Sequence, residues 1–98
     1  MVMEELTIVS SYQRPLRPLI EAALQNELRL LQVNIKRTEQ NLSHFETQFG
    51  LSTIEFVERF ENDELPETLD NVEWIGEYRL LMRLHEKAEA LREIRFAN

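Results

Sequence analysis

Apolar side chains recur with a helical period through the first half of the chain. They are separated alternately by four and three residues, which is an unbroken heptad pattern with one polar member. The eight positions are Leu24, Leu28, Leu31, Ile35, Thr38, Leu42, Phe45 and Phe49. The pattern predicts one long helix over residues 19–49 with a coiled-coil seam along one side.

This seam has more than one possible use. A helix of this length extends over roughly 40 Å or more at about 1.5 Å per residue, and a chain of 98 residues has little else with which to cover it. The seam can pack within the chain in an antiparallel hairpin, against a second chain, or both. We expect a homodimer in which the seam residues Leu24, Leu28, Leu31, Ile35, Leu42 and Phe45 take part.

The long helix is followed by a turn and a short helix. Gly50 is suited to end the first helix, because glycine readily adopts the left-handed conformation found after a last helical turn. Ser52 and Glu55 have the spacing of a capping box, in which each side chain satisfies a backbone N–H of the other. Together they predict a second helix over residues 52–62.

A third helix is predicted over residues 71–96, after an acidic run that contains Pro66. Asp70 is the predicted N-cap, and Leu69 is placed to pack against Trp74. This helix is apolar around much of its circumference, so we expect other elements to cover it on more than one side. Gly76 within it is interpreted as a position of close packing beside Trp74.

Residues 1–18 differ from the rest of the chain because they include several β-branched residues and two prolines, Pro15 and Pro18. We interpret them as a short extended arm, either loosely packed or paired with a partner as a strand. The predicted fold is all-α: a long antiparallel helical hairpin with a short bridging helix, forming a single domain over residues 19–98.

The net charge of −7 is concentrated in one segment. Between Ser52 and Tyr78 the sequence contains nine acidic residues and one basic residue, Arg59. This excess of negative charge disfavours the binding of nucleic acid and favours a basic partner. An ordinary solvated surface is the alternative interpretation. The acidic candidates for partner binding are Glu55, Glu58, Glu61, Asp63, Glu64, Glu67, Glu73 and Glu77. Trp74 and Tyr78 are either aromatic contacts for a partner or core residues.

The composition excludes some classes of site and favours one location. Because the chain has no cysteine, it can form neither a disulfide nor a thiolate metal site. It has no apolar run of the roughly 18 residues that a membrane helix needs and no signal-peptide pattern at its N-terminus. We therefore expect a cytoplasmic protein with no membrane association.

One catalytic alternative deserves comparison. The carboxylate pairs Glu55/Glu58 and Glu67/Asp70 are similar to those with which helical nucleotide pyrophosphohydrolases bind Mg²⁺. In such enzymes both pairs lie within helices, whereas Glu67 and Asp70 are predicted beside Pro66 at a helix start. We therefore predict no enzyme activity, no catalytic residues, no metal and no cofactor.

The middle of the chain carries a recognisable motif. The run Phe-Gly-Leu-Ser-Thr-Ile-Glu-Phe at residues 49–56, the acidic Glu64-Leu65 and the pair Glu73-Trp74 resemble the pattern of small helical proteins of bacteria and archaea. Many of these are similar to antitoxin components of toxin–antitoxin operons. The resemblance implies a homodimer or a complex with a basic toxin, such as an RNase, whose polyanionic substrate the acidic segment would mimic.

The chain departs from antitoxins that bind DNA through a ribbon-helix-helix fold. Residues 6–10 could supply the ribbon strand, but the long helix that follows has no interruption to form the second helix of that fold. Only Arg14 and Arg17 lie nearby as bases. We therefore do not expect operator binding.

Overall fold

The first helix starts immediately after the proline-containing stretch. In the computed structural model, which describes residues 5–6 and 16–96, α1 spans Arg17–Phe49. It begins two residues earlier than predicted, because Pro18 occupies the first turn, where its missing N–H has no partner to lose. Gly50 ends the helix with φ +65°, as predicted, and its N–H donates to the Glu46 carbonyl at 2.9 Å.

The short helix α2 spans Thr53–Glu61. Ser52 is its N-cap, and the Ser52 hydroxyl accepts a hydrogen bond from the Glu55 N–H at 3.2 Å. The capping signal in the sequence therefore located this helix correctly. The Glu55 carboxylate accepts from Arg59 one turn later, at 2.7 Å.

The third helix, α3, spans Leu69–Arg92, and its predicted bounds were wrong at both ends. The N-cap is Thr68, whose hydroxyl accepts from the Asn71 N–H at 3.1 Å, and Asp70 lies inside the first turn. At the other end the chain leaves the helix at Glu93 and continues into a strand. Leu69 is 75% exposed, so its predicted packing against Trp74 is also wrong.

Two short strands lie outside the helices. β1 spans Glu5–Leu6 and β2 spans Arg95–Phe96, and they pair in parallel with Glu5 opposite Arg95. The rest of the predicted N-terminal arm, apart from residues 16–18, lies outside the described residues. Helix α3 therefore ends four residues before its predicted end at residue 96, and Arg95 and Phe96 belong to a strand instead.

The heptad seam is used within the chain. Helices α1 and α3 pack along each other as an antiparallel hairpin, and α2 bridges its closed end, which confirms the predicted all-α architecture. Leu31, Thr38 and Leu42 are buried, and Thr38 satisfies its hydroxyl by donating to the Asn34 carbonyl at 2.9 Å. Leu24, Leu28, Ile35 and Phe45 are half-buried. Leu31 and Leu42 therefore have almost no surface left for the second chain to which they were assigned.

The chain is long and thin, with extents of 60 × 23 × 17 Å. Its main core lies at the closed end, where Leu42, Phe56, Val57, Trp74, Ile75 and Leu81 pack together. Leu80 and Leu84 are only half-buried, and Met82 is exposed. The apolar residues of α3 predicted that other elements cover it on more than one side. Within one chain, Leu80, Met82 and Leu84 are left partly uncovered.

Candidate protein-binding surfaces

An aromatic stack fixes α2 onto the hairpin. The Trp74 ring lies parallel to that of Phe56, with centroids 3.9 Å apart and planes inclined by 2°. Phe45 and Phe49 of α1 stack against the same indole at 5.5 and 5.7 Å. Stacked aromatic pairs contribute about 0.5–1.5 kcal/mol each beyond the area they bury. All three helices therefore meet at one side chain.

The polar atoms around this stack are paired. The Trp74 indole N–H donates to the Thr53 hydroxyl at 3.1 Å, in the buried interior. The Thr53 backbone N–H lies in the first turn of α2 and so has no carbonyl partner within that helix. It donates to the Glu46 carboxylate at 2.7 Å instead. The end of α1 thus caps α2, and the position of α2 is determined by both long helices.

Trp74 is therefore a core residue rather than a partner contact. It is 1% exposed, which contradicts its assignment as an aromatic contact on the surface. Tyr78 is half-buried and packs against the same core. Large aromatics that are already buried contribute to folding and have no surface with which to bind a partner.

Six of the predicted acidic residues form one surface around α2. All six are exposed, and the loop that carries three of them is held by the half-buried Leu65, which packs on the core. They are Glu55, Glu58 and Glu61 on α2, and Asp63, Glu64 and Glu67 in the loop before α3. We refer to these six residues as the acidic α2 surface. The one base between them, Arg59, is paired with Glu55.

The loop of the acidic α2 surface has a defined backbone. Asp63 adopts a left-handed conformation with φ +57°, which aspartate tolerates better than most residues. The N–H groups of Asp63 and Glu64 donate back to the Phe60 and Arg59 carbonyls at 3.2 and 2.9 Å. These bonds continue from the last turn of α2, so the loop acids have fixed positions relative to those of the helix.

The remaining two acids, Glu73 and Glu77, belong to a different surface. They line a groove of about 420 Å³ between α1 and α3, together with Asn41, His44, Phe45 and Gly76. No residue of α2 lines this groove. Ile75, between the two acids in sequence, lies in the core with Phe56 and Val57 of α2. The eight predicted acids are therefore divided between two sides of the hairpin.

A hydrogen bond links the two walls of the groove. The Asn41 side-chain amide donates to the Glu77 carboxylate at 3.3 Å and connects the two helices. The same two residues border a second depression of about 230 Å³, which is lined by Arg37, Leu80 and Leu84 among others. The two depressions therefore lie next to each other along the hairpin.

Sequence reasoning did not identify the α1 side of this groove. None of Arg37, Asn41 and His44 was predicted to belong to a site. Their spacing of i, i+4 and i+7 places them on one face of α1, and that spacing is a signal that could have identified the face. Which residues of α3 lie opposite could not be inferred without the register of the hairpin.

The four carboxylates of the catalytic alternative lie on different elements. Glu55 and Glu58 lie on α2, Glu67 precedes the N-cap of α3, and Asp70 lies in its first turn. In the described part of the chain, no three acidic or histidine side chains are grouped so that they could bind a metal ion. None of the three described helices combines the length and apolarity that a membrane span requires.

Comparison of the chain with protein-family models, curated proteins and solved structures finds no match. The similarity of residues 49–78 to antitoxin components therefore stays a prediction from the motif. The assignment of a function depends on the surfaces described above.

Proposed function

We propose that this chain is a non-enzymatic protein-binding module that uses the acidic α2 surface to bind a basic partner, as an antitoxin-type inhibitor covers its toxin. The observation that carries the proposal is the arrangement of six exposed carboxylates on a helix and loop attached to the core. Their field attracts a basic protein and increases its rate of association.

The fixed backbone of this surface also favours binding. Because Glu46 and Thr53 hold the start of α2 and Leu65 holds the loop, the carboxylates need little ordering when a partner arrives. Pre-organisation of this kind reduces the entropy that association costs. The exposed Arg59–Glu55 pair contributes little to stability, so Glu55 can exchange Arg59 for a base of the partner.

The experiment is a growth assay with the basic product of the neighbouring gene. Expression of that product should arrest growth, and co-expression of this chain should relieve the arrest. The variant with Glu58→Lys, Glu61→Lys and Glu64→Lys should fail to relieve it. A matched control with Glu39→Lys, Glu86→Lys and Glu89→Lys makes the same change of charge at exposed sites elsewhere.

Relief by the control variant but not by the α2 variant would support the proposal. Growth that stays arrested with the wild-type chain would contradict it. So would equal relief by both charge variants, because the acidic α2 surface would then have no special role. Circular dichroism of both variants verifies that their helices are intact.

A further inference from the structure

One broad side of the hairpin carries most of its large exposed apolar side chains. The described chain has eight such residues, and helical spacing from the residues that line the groove places five of them on the groove side. They are Leu19, Leu30 and Val33 of α1, and Leu69 and Val72 of α3. Their helical spacing places Val33 next to Arg37 and Leu69 next to Glu73. We refer to these five residues and the groove as the open face.

Gly76 in the open face has no role in the packing of its own chain. A Cβ atom built at this position would meet no atom within 4 Å, so the predicted close packing beside Trp74 is wrong. Glycine within a helix costs about 1 kcal/mol relative to alanine. An external helix that approaches closely at the groove would explain why the position lacks a side chain.

The open face also carries charges of both signs. Glu73 and Glu77 of α3 line the groove, and Arg37 of α1 lines the second depression beside it. On α3, Arg83 follows Gly76 by seven residues on the same face and is exposed. A surface with charges of both signs does not select a uniformly basic partner. Its basic groups can, however, pair with the acidic groups of a second copy of the same surface.

The positions of these residues have a twofold relation. Arg37 lies four residues before Asn41, and Glu73 lies four residues before Glu77. Because α1 and α3 are antiparallel, Arg37 and Glu73 lie about 6 Å to opposite sides of the Asn41–Glu77 hydrogen bond. Val33 and Leu69 each lie eight residues before the same bond, about 12 Å away on opposite sides.

We infer that the open face binds a second copy of this chain. A twofold axis that lies in the interface, passes through the Asn41–Glu77 bond and runs obliquely to the helices places Arg37 opposite the partner's Glu73 and Val33 opposite the partner's Leu69. Gly76 lies beside the axis, where the helices of the two copies come closest. The result is a four-helix arrangement in which the two hairpins cross face to face.

The extents of the chain leave room for an interface of ordinary size. The chain is 60 Å long and 23 Å wide, and a specific interface needs roughly 800 Å² per partner. Leu80 and Leu84, half-buried in one chain, would complete their burial there. The dimer interface is therefore the open face and not the heptad seam, which α3 already covers.

The first test measures mass by light scattering at increasing protein concentration. The wild-type chain should reach twice its mass of 11.7 kDa. Val33→Asp and Leu69→Asp should each raise the dimer dissociation constant by about tenfold or more, as expected for apolar contacts near the centre of an interface. The matched control is Ile54→Asp on α2, since Ile54 is 70% exposed and lies outside the open face.

The second test exchanges the charges that the twofold axis pairs. Arg37→Glu and Glu73→Arg should each weaken the dimer, because like charges then face each other. The double variant should recover dimerisation, because the opposite charges are restored in reverse order. Double-mutant recovery is specific to residues that contact each other. Failure of the double variant to recover would exclude this register.

The third test uses Gly76→Leu, which the single chain can accommodate because a Cβ atom there meets nothing. Its helical circular dichroism should equal that of the wild type, whereas its dimer should dissociate. A wild-type chain that stays at 11.7 kDa overturns the inference, even if another protein covers this face. So does a dimer that survives all the open-face variants.

This inference is independent of the acidic α2 surface. The α2 charge variants should leave the mass unchanged, and the open-face variants report on the dimer without any toxin. Failure of the growth assay would therefore leave the dimer intact, and a monomeric chain would leave the proposed binding of a basic partner intact.

Discussion

Thr53 connects three parts of the chain through two hydrogen bonds. Its N–H donates to Glu46 at the end of α1, and its hydroxyl accepts from Trp74 of α3. The side chain is buried, so water cannot replace the hydroxyl as acceptor for the indole. Thr53 thus connects the start of α2 both to the end of α1 and to the aromatic stack.

Thr53→Val should destabilise the fold by about 1–3 kcal/mol, because it leaves the Trp74 N–H buried without an acceptor while preserving the side-chain shape. Urea denaturation followed by tryptophan fluorescence measures this change. Thr47→Val is the matched control, since it makes the same substitution at an exposed site, where the Thr47 hydroxyl donates to the Ser43 carbonyl. Its effect should stay within about 0.5 kcal/mol. Equal effects would show that the buried hydrogen bond has no special importance.

At the scale of the helices, capping side chains determine where α2 and α3 begin. Ser52 and Thr68 both adopt an extended conformation, with ψ 152° and 162°, and both accept from the N–H three residues later. Asn71 adds a bond from its side-chain amide to the Pro66 carbonyl at 2.9 Å. Asp70, inside the first turn, can interact favourably with the helix dipole but does not cap the helix.

Thr68→Ala should therefore destabilise the fold by about 1 kcal/mol, the usual effect of losing an N-cap. Asp70→Ala should have a smaller effect, about 0.3 kcal/mol, because the carboxylate acts only through the dipole. Salt should abolish the Asp70 effect but leave that of Thr68, since screening affects charges and not the short hydrogen bond. Thermal unfolding at low and high salt distinguishes them. A larger loss from Asp70→Ala would restore Asp70 as the cap.

The sequence predicted the elements well where local chemistry specifies them. The heptad period, Gly50 and Ser52 located α1 and α2 to within two residues at each end. The start of α3 was also predicted to within two residues, but its cap was misidentified, because Thr68 and Asp70 are both good caps and only the turn after Pro66 decides between them. Its end failed because residues 93–98 contain neither glycine nor proline to mark a stop.

The candidate surfaces were harder to predict, because they depend on which helix faces lie opposite each other. The charge count identified the acidic segment, and the six acids around α2 are all exposed. The separation of Glu73 and Glu77 from them could not be predicted, since it requires the position of α2 on the hairpin. The sequence also left Trp74 open between a partner contact and the core, although its neighbours Phe45, Phe49 and Phe56 come from two other helices. Such contacts are tertiary and leave no local signal.

For the whole molecule, the thin shape predicts how the size should change on dimerisation. One chain has a radius of gyration of 19.0 Å. Two hairpins that cross through the open face, with helix axes about 10 Å apart, should raise this only slightly, because the added mass lies close to the centre. Small-angle X-ray scattering should therefore show doubled forward scattering with a nearly constant radius. Association end to end would nearly double the radius instead, and that result would contradict the face-to-face arrangement.

The position of α2 on the side opposite the groove determines the valency of such a dimer. Each copy would turn its acidic α2 surface outward, and the twofold axis would place the two surfaces on opposite sides of the four-helix body. One compact partner could not span both, so each dimer would bind two partners in a 2:2 complex. A partner that is itself dimeric, or that presents its basic sites in an array, would then be crosslinked into chains and bound with avidity.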